Sequence, residues 1–221
     1  GTVEQLRVYE FLKNVIELIQ KWCYARMVDS AEKHKIYEWA LFHQPMNLDY
    51  NNLVHNKVEF EDIPEKIYGE DETLRRRDGF KLTDERYDNR KIMGEVEYCV
   101  FCHERGKDSC SKGLLNKDGT PKKNPLGIKL GGCPLDEKIS EMHTLKYEGR
   151  SVGALGIIMI DNPMCPGTGH RICNDCMKAC IYQKQDPVNI PQIETRTLTD
   201  VLNLPWGFEI YSLLTDGTQL M

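Results

Sequence analysis

Eight of the nine cysteines of this chain fall between Cys99 and Cys180, and that crowding constrains the fold more than any other feature. They come as Cys99-Val-Phe-Cys102, Cys110, Cys133-Pro134, Cys165, and Cys173-Asn-Asp-Cys176 followed by Cys180. A disulfide framework belongs to small secreted domains that lack a sufficient core. Here the chain has 221 residues, an odd cysteine count and tight C-x-x-C pairs, which in a cytoplasmic protein point to metal or redox chemistry. Arg7, Glu10, Lys13 and Glu17 interrupt the apolar residues at the front, so nothing there reads as a signal peptide. The longest apolar run, Ile157 to Ile160, is far short of the ~20 residues of a spanning helix. With 29 basic and 34 acidic side chains the net charge is 29 − 34 = −5, and no basic stripe is present. Those features argue against a nucleic-acid binder. The expectation is a cytoplasmic protein with an inorganic site and no membrane or nucleic-acid partner.

The hydrophobic spacing is helical almost throughout. Leu6, Phe11, Leu12, Val15, Ile16, Leu18, Ile19 and Trp22 predict an amphipathic helix over residues 3–27, with Cys23 an inert buried thiol in it. Asp29-Ser30 reads as the N-cap of a second helix through Trp39 and Phe42, stopped by Pro45. Residues 46–98 are polar, with Arg75-Arg76-Arg77 as a dense basic run: a solvated face or a docking site. Asp118-Gly119, Pro121, Pro125 and Gly131-Gly132 mark an exposed excursion, a loop insertion over about 111–132. Helical patterns resume at Leu135–Tyr147, at Gly153–Ile160 and after Pro191. The fold class is mainly α, with an N-terminal helical region and polar linker over 1–95 and a cysteine-bearing domain over 96–221.

Cys173, Cys176 and Cys180 stand at i, i+3 and i+7, within about 60° of one helix face, so the spacing predicts three thiolates on one side. Iron–sulfur clusters take cysteine thiolates, and close runs ending in Cys-Pro recur among them. The eight cysteines suffice for two four-iron clusters. Two zinc sites of four cysteines each are the competing reading, because C-x-x-C also suits zinc. The i, i+3, i+7 triplet fits a zinc ribbon poorly.

The residues around the cysteines carry a resemblance. Cys133-Pro134-Leu135-Asp136, Gly149-Arg150, Ala154-Leu155, Asn162-Pro163, Thr168-Gly169-His170-Arg171-Ile172-Cys173, Ala179-Cys180, Pro187-Val188-Asn189-Ile190 and Ile193-Glu194 follow one another in order. This series resembles the N-terminal iron–sulfur domain of the glutamate synthase small subunit. The same module occurs in dihydropyrimidine dehydrogenase and in the flavin subunit of ferredoxin:NADP transhydrogenases. The resemblance covers residues 96–204 and leaves 1–95 uncovered. It implies a helical ferredoxin-like fold with two [4Fe-4S] clusters, at the front of an FAD-dependent pyridine-nucleotide oxidoreductase. It also implies crossed ligation: Cys99, Cys102, Cys110 and Cys180 on one cluster, Cys133, Cys173, Cys176 and Glu194 on the other. Cys165 is an extra thiol and an alternate ligand to Cys173 or Glu194. The implied partners are a downstream flavin domain or flavoprotein subunit, with a second redox subunit beyond it.

No G-x-G-x-x-G follows a strand, since Gly167-Thr-Gly169 lacks the third glycine. This chain alone is therefore not expected to bind FAD or NAD(P)H, which the resemblance assigns to downstream domains, and no residue here is expected to be catalytic. His170, Arg171 and His103 read as neighbours of ligands that pack or donate hydrogen bonds. Glu194 has two readings, a ligand in the first turn of the helix after Pro191 or a surface carboxylate favoured by the helix N-terminus.

Overall fold

The computed structural model describes residues 3–29, 31–36 and 86–216, with short pieces between 48 and 79. The expected helix through Trp39 and Phe42, the arginine run 75–77 and the side chain of Arg171 lie outside the described residues. Among the described residues no helix is long and apolar enough to cross a membrane.

The chain divides into two compact units, 1–40 and 41–221. In the first, α1 (Val3–Val28) matches the expected span. None of its residues is buried, however, and Leu6, Phe11, Leu12, Ile16, Leu18 and Trp22 are all exposed. Apolar positions 11, 12, 15, 16, 18, 19 and 22 lie on one broad side of the helix, and yet none of them is buried in this unit. Cys23 is correspondingly half-buried, not buried. After α1 the Asp29 carboxylate accepts the Ala31 amide at 2.9 Å, as an Asp before a new turn does. The turn that follows is a short 3-10 helix, Lys33–Ile36.

The second unit is mainly helical. Its regular strands among the described residues are β1 (Lys57–Val58) and β2 (Ile67–Tyr68), paired antiparallel with Lys57 opposite Tyr68. Asp88 caps α2 (Asn89–Tyr98) by accepting the Lys91 amide at 2.8 Å. A short α3 (Ser109–Lys112) leads into the insertion, which is exposed except near its base and holds only isolated bridges, Leu115 to Pro121 and Lys123 to Lys129. Then come α4 (Ile139–Tyr147), α5 (Ser151–Asp161), α6 (Cys165–Ile172) and α7 (Asp175–Ala179). The last two are α8 (Ile190–Leu202) and α9 (Gly207–Asp216). Helix α4 begins four residues later than expected, because the chain first turns at Asp136, whose φ is +52°.

Helix α8 is the organising element, packed against α2, α4, α5, α6 and α9. Pro191 in its first turn suits a helix start, where the missing N–H is no loss. Ile193 and Val201 from α8 meet Ile92 and Val96 from α2, Met142 from α4, and Leu155 and Ile158 from α5 in one core. Each such side chain contributes about 1.5–3 kcal/mol by leaving water. Lys146 on α4, although almost fully buried, is neutralised by an ion pair to Asp200 on α8, which Arg196 also holds at 2.6 Å. A buried lysine needs that partner. Helix α2 packs on α4 and α8 from residue 89, so the packed cysteine-bearing unit already includes residues ahead of the boundary drawn at 96.

Candidate metal centres

The cysteines sort into two cavities. The first, of about 20 Å³, is lined by Cys99, Cys102, Cys110 and Cys180 with Ser109, Ser140, His143 and Tyr182 among others. The second, of about 150 Å³, is lined by Cys133, Cys173 and Cys176 with Glu137, Glu194, Asn162 and Gly169. Among the described residues, no three His, Cys, Asp or Glu side chains are set closely enough to hold a single metal ion. The thiols stand around two spaces instead.

Local backbone explains the sorting. Cys99 ends α2 in an extended conformation, and Phe101, at φ +47°, swings the chain into the 3-10 turn Cys102–Arg105. Cys110 lies on α3. The Phe101 amide points at the Cys99 sulfur, 3.5 Å away. The three late cysteines do not share a helix face, contrary to the i, i+3, i+7 expectation. Helix α6 stops at Ile172, Cys173 is extended, only Cys176 lies within the five-residue α7, and Cys180 is extended again. Asn174-Asp175, residues that favour helix starts over helix interiors, mark the break. The break sends Cys173 and Cys176 to one cavity and Cys180 to the other.

The insertion leaves the two cavities joined at its base. The Cys133 amide donates to the Cys110 carbonyl at 2.8 Å, so one ligand candidate from each cavity is tied to the other by backbone. Gly132 makes this approach possible: its φ is +79°, and a Cβ there would sit 2.4 Å from the Ser111 carbonyl oxygen.

Burial dominates the electrostatics. It pushes the Cys99 thiol up to about 12 and Cys133 up to about 11, and raises Cys102, Cys110, Cys180 and Cys176 as well. These groups stay neutral thiols until a cation compensates them, and a bound metal is what reverses that preference. All nine cysteines are free.

Glu194 falls one residue beyond the first turn of α8 and is 5% exposed, so the surface reading of this carboxylate is excluded. Its electrostatic partner is Glu137, 6% exposed, whose Oε1 is buried without a hydrogen-bond partner. Burial, and then the Glu137 charge, raise Glu194 well above the usual carboxylate range, and burial raises Glu137 as well. Cys165 starts α6 and is buried in the core. Its thiol is raised by burial and by the two carboxylates, but it does not line the cavity. His103 Nδ1 meets Ser140 Oγ, which lines the first cavity, at 2.7 Å, and His170 Nδ1 meets Thr195 Oγ1 at 3.0 Å.

Among the lining residues that escape sequence reasoning are Glu137, His143 and Ser109. Glu137 stands two positions after Leu135 in an unpatterned turn. His143 sits between Met142 and Leu145 in a helical pattern, where a histidine on an apolar face reads as core. Nearness to Cys133 was the one available signal for Glu137.

Two curated proteins are similar to this chain, both from Rickettsia prowazekii (strain Madrid E). It is 71% identical over 52 residues to the uncharacterized protein RP006, covering 24% of this chain and 7% of that one. It is 32% identical over 118 residues to the uncharacterized protein RP005, covering 49% of this chain and 36% of that one. The chain thus spans well under half the length of each of these relatives. No protein-family description matches the chain. No solved structure matches it either.

Proposed function

We propose that this chain is the iron–sulfur portion of an FAD- and NAD(P)H-dependent oxidoreductase of the glutamate synthase small-subunit type. In this reading it is an electron-transfer domain of helical ferredoxin-like kind that holds two [4Fe-4S] clusters. One observation carries the reading. Cys180 parts from its sequence neighbours Cys173 and Cys176 and joins Cys99, Cys102 and Cys110 around one cavity. That is the crossed grouping which the resemblance implies, and spacing alone pointed the other way.

The donor sets fit the group. Four thiols line the first cavity, and three thiols with the Glu194 carboxyl line the second. Each ligand of a polynuclear cluster binds a different iron, so its donors surround a core rather than meet at one point. In the first cavity Cys99, Cys102, Cys110 and Cys180 would hold the iron; in the second, Cys133, Cys173, Cys176 and Glu194. Cys165 stands behind the acidic pair as the alternate donor. A cluster, when bound, supplies one-electron transfer. The chain's own part is ligation, exclusion of water by the α8 core and the polarity of each wall, which tune the potential. The electrons pass to or from a flavin domain or flavoprotein subunit, with a second redox subunit at the far end. The chain alone is not catalytic, and a reducing, cytoplasmic setting suits its free thiols.

Anaerobic expression and reconstitution test this reading. The expected product is brown, with broad visible absorbance and iron and sulfide for two four-iron clusters. A colourless protein with stoichiometric zinc and no sulfide would instead identify a zinc-stabilised interaction module without redox function.

A further inference from the structure

The first cavity contains polar groups that the protein itself leaves unused. His143 is 0% exposed, and neither of its ring nitrogens has a hydrogen-bond partner. The hydroxyl of Ser109 is likewise buried without a partner. Both residues line the cavity of Cys99, Cys102, Cys110 and Cys180. Buried donors left empty are costly, and natural interiors rarely keep them without a use. Burial holds the imidazole far below its usual range, at about 3, so it stays neutral and keeps exactly one ring N–H to give.

The second cavity is built the opposite way. Its polar wall is a carboxyl pair, Glu137 and Glu194, with no histidine among its lining residues. Hydrogen bonds to sulfur raise a cluster's reduction potential, whereas added negative charge lowers it. An electron is therefore harder to place beside Glu137 and Glu194 than beside His143.

We infer that His143, seconded by Ser109, donates a hydrogen bond to a sulfur of the cluster in the first cavity and makes it the higher-potential member of the pair. His143 is then a tuning residue, and the first cavity is where a single electron added to the domain comes to rest. The inference rests on the two-cluster reading above.

Redox titration of the reconstituted full chain, followed by electron paramagnetic resonance, tests it. The wild type is expected to show two midpoints, the higher one absent in Cys110→Ala. His143→Leu should lower only that higher midpoint. Losing one hydrogen bond to a charged acceptor is about a tenfold change in equilibrium constant, or about 59 mV for a one-electron couple. His143→Gln, which retains an N–H donor, should recover most of the shift. Unmoved midpoints in His143→Leu, or a shift of the lower one, would overturn the inference while leaving the iron and sulfide content, and so the two-cluster reading, intact. If His143→Leu loses its iron, His143→Gln decides: a near wild-type midpoint supports donation, and loss of iron there too overturns it in favour of ligation or packing. A wild type without iron and sulfide overturns both.

Discussion

The two cysteine cavities use the same ligand type and the same scaffold helix, yet their walls differ in every other respect. The first closes on about 20 Å³, with four thiols and two neutral donors, His143 and Ser109. The second encloses about 150 Å³, with three thiols and two carboxyls that burial raises above their usual range. On the proposed reading the cysteines supply the ligands, and the residues between them set how each centre behaves. On that reading a neutral wall with hydrogen-bond donors favours a higher potential, and an acidic wall favours a lower one.

The separation of the cavities is the first thing to break. Cys180→Ala should remove the whole centre of the first cavity, about half of the bound iron if both clusters form. Cys176→Ala should remove the other half. These residues stand four apart in sequence, so if both substitutions erase the same resonance signal, the cavities are not independent centres. Iron and sulfide analysis with paramagnetic resonance reads the outcome.

Next in size is the joint between them. Gly132→Ala drives a Cβ against the Ser111 carbonyl at 2.4 Å in a left-handed backbone, beside the Cys133-to-Cys110 hydrogen bond. A loss of about 3 kcal/mol or more is expected in denaturant unfolding, with impaired loading of both cavities. Gly119 shares the positive φ, +82°, but has nothing within 4 Å, so Gly119→Ala should cost only about 1 kcal/mol. Equal costs would mean that the base of the insertion does not hold the cavities together.

A smaller effect separates the walls themselves. Glu194→Ala should leave the first cavity loaded and weaken iron retention in the second by about tenfold against a chelator. Glu194→Cys should restore it. Full retention in Glu194→Ala would pass the role of eighth ligand to Cys165, which is buried beside the same carboxyls.

Much of this was legible in the chain, and the exceptions have physical causes. The i, i+3, i+4 pattern located α5 and α8 because their apolar residues face the core. The same rule failed at Cys173–Cys180, where no packed stripe extends the helix and Asn174 breaks it. It also located α1, although none of the apolar residues on that helix is buried. All eight proposed ligands were visible by residue type, but their grouping came from a resemblance, not from spacing. Glu137 and His143 were invisible because a buried polar group is recognised by what surrounds it, and those surroundings are assembled from α4, α6, α7 and α8.

The last contrast is in how the reduced chain without metal responds to pH, since Glu194 and His143 act on opposite limbs. Glu194 is raised in the folded state from 4.5. Its contribution to stability is complete below pH 4.5 and is lost as pH rises toward its folded value, because the unfolded chain releases a proton that the folded one retains. His143 is lowered from 6.5 to about 3. Its contribution is complete above pH 6.5 and is lost as pH falls toward 3, because the unfolded chain takes up a proton that the folded one refuses. Between pH 4.5 and 6.5 the two slopes oppose, so unfolding stability should be nearly flat there and fall on both sides, by at most about 1.4 kcal/mol per pH unit for each group. Asp108, which accepts from the Cys110 thiol at 3.1 Å and is also raised by burial, adds to the alkaline limb. His143→Gln should flatten the acid limb alone, and Glu194→Gln should shorten the alkaline limb without abolishing it. Thermal unfolding of the metal-free chain under reductant, from pH 3.5 to 8, provides the measurement. A profile that His143→Gln leaves unchanged below pH 6.5 would mean that the imidazole is solvated, and the neutral character assigned to the first wall would fall with it.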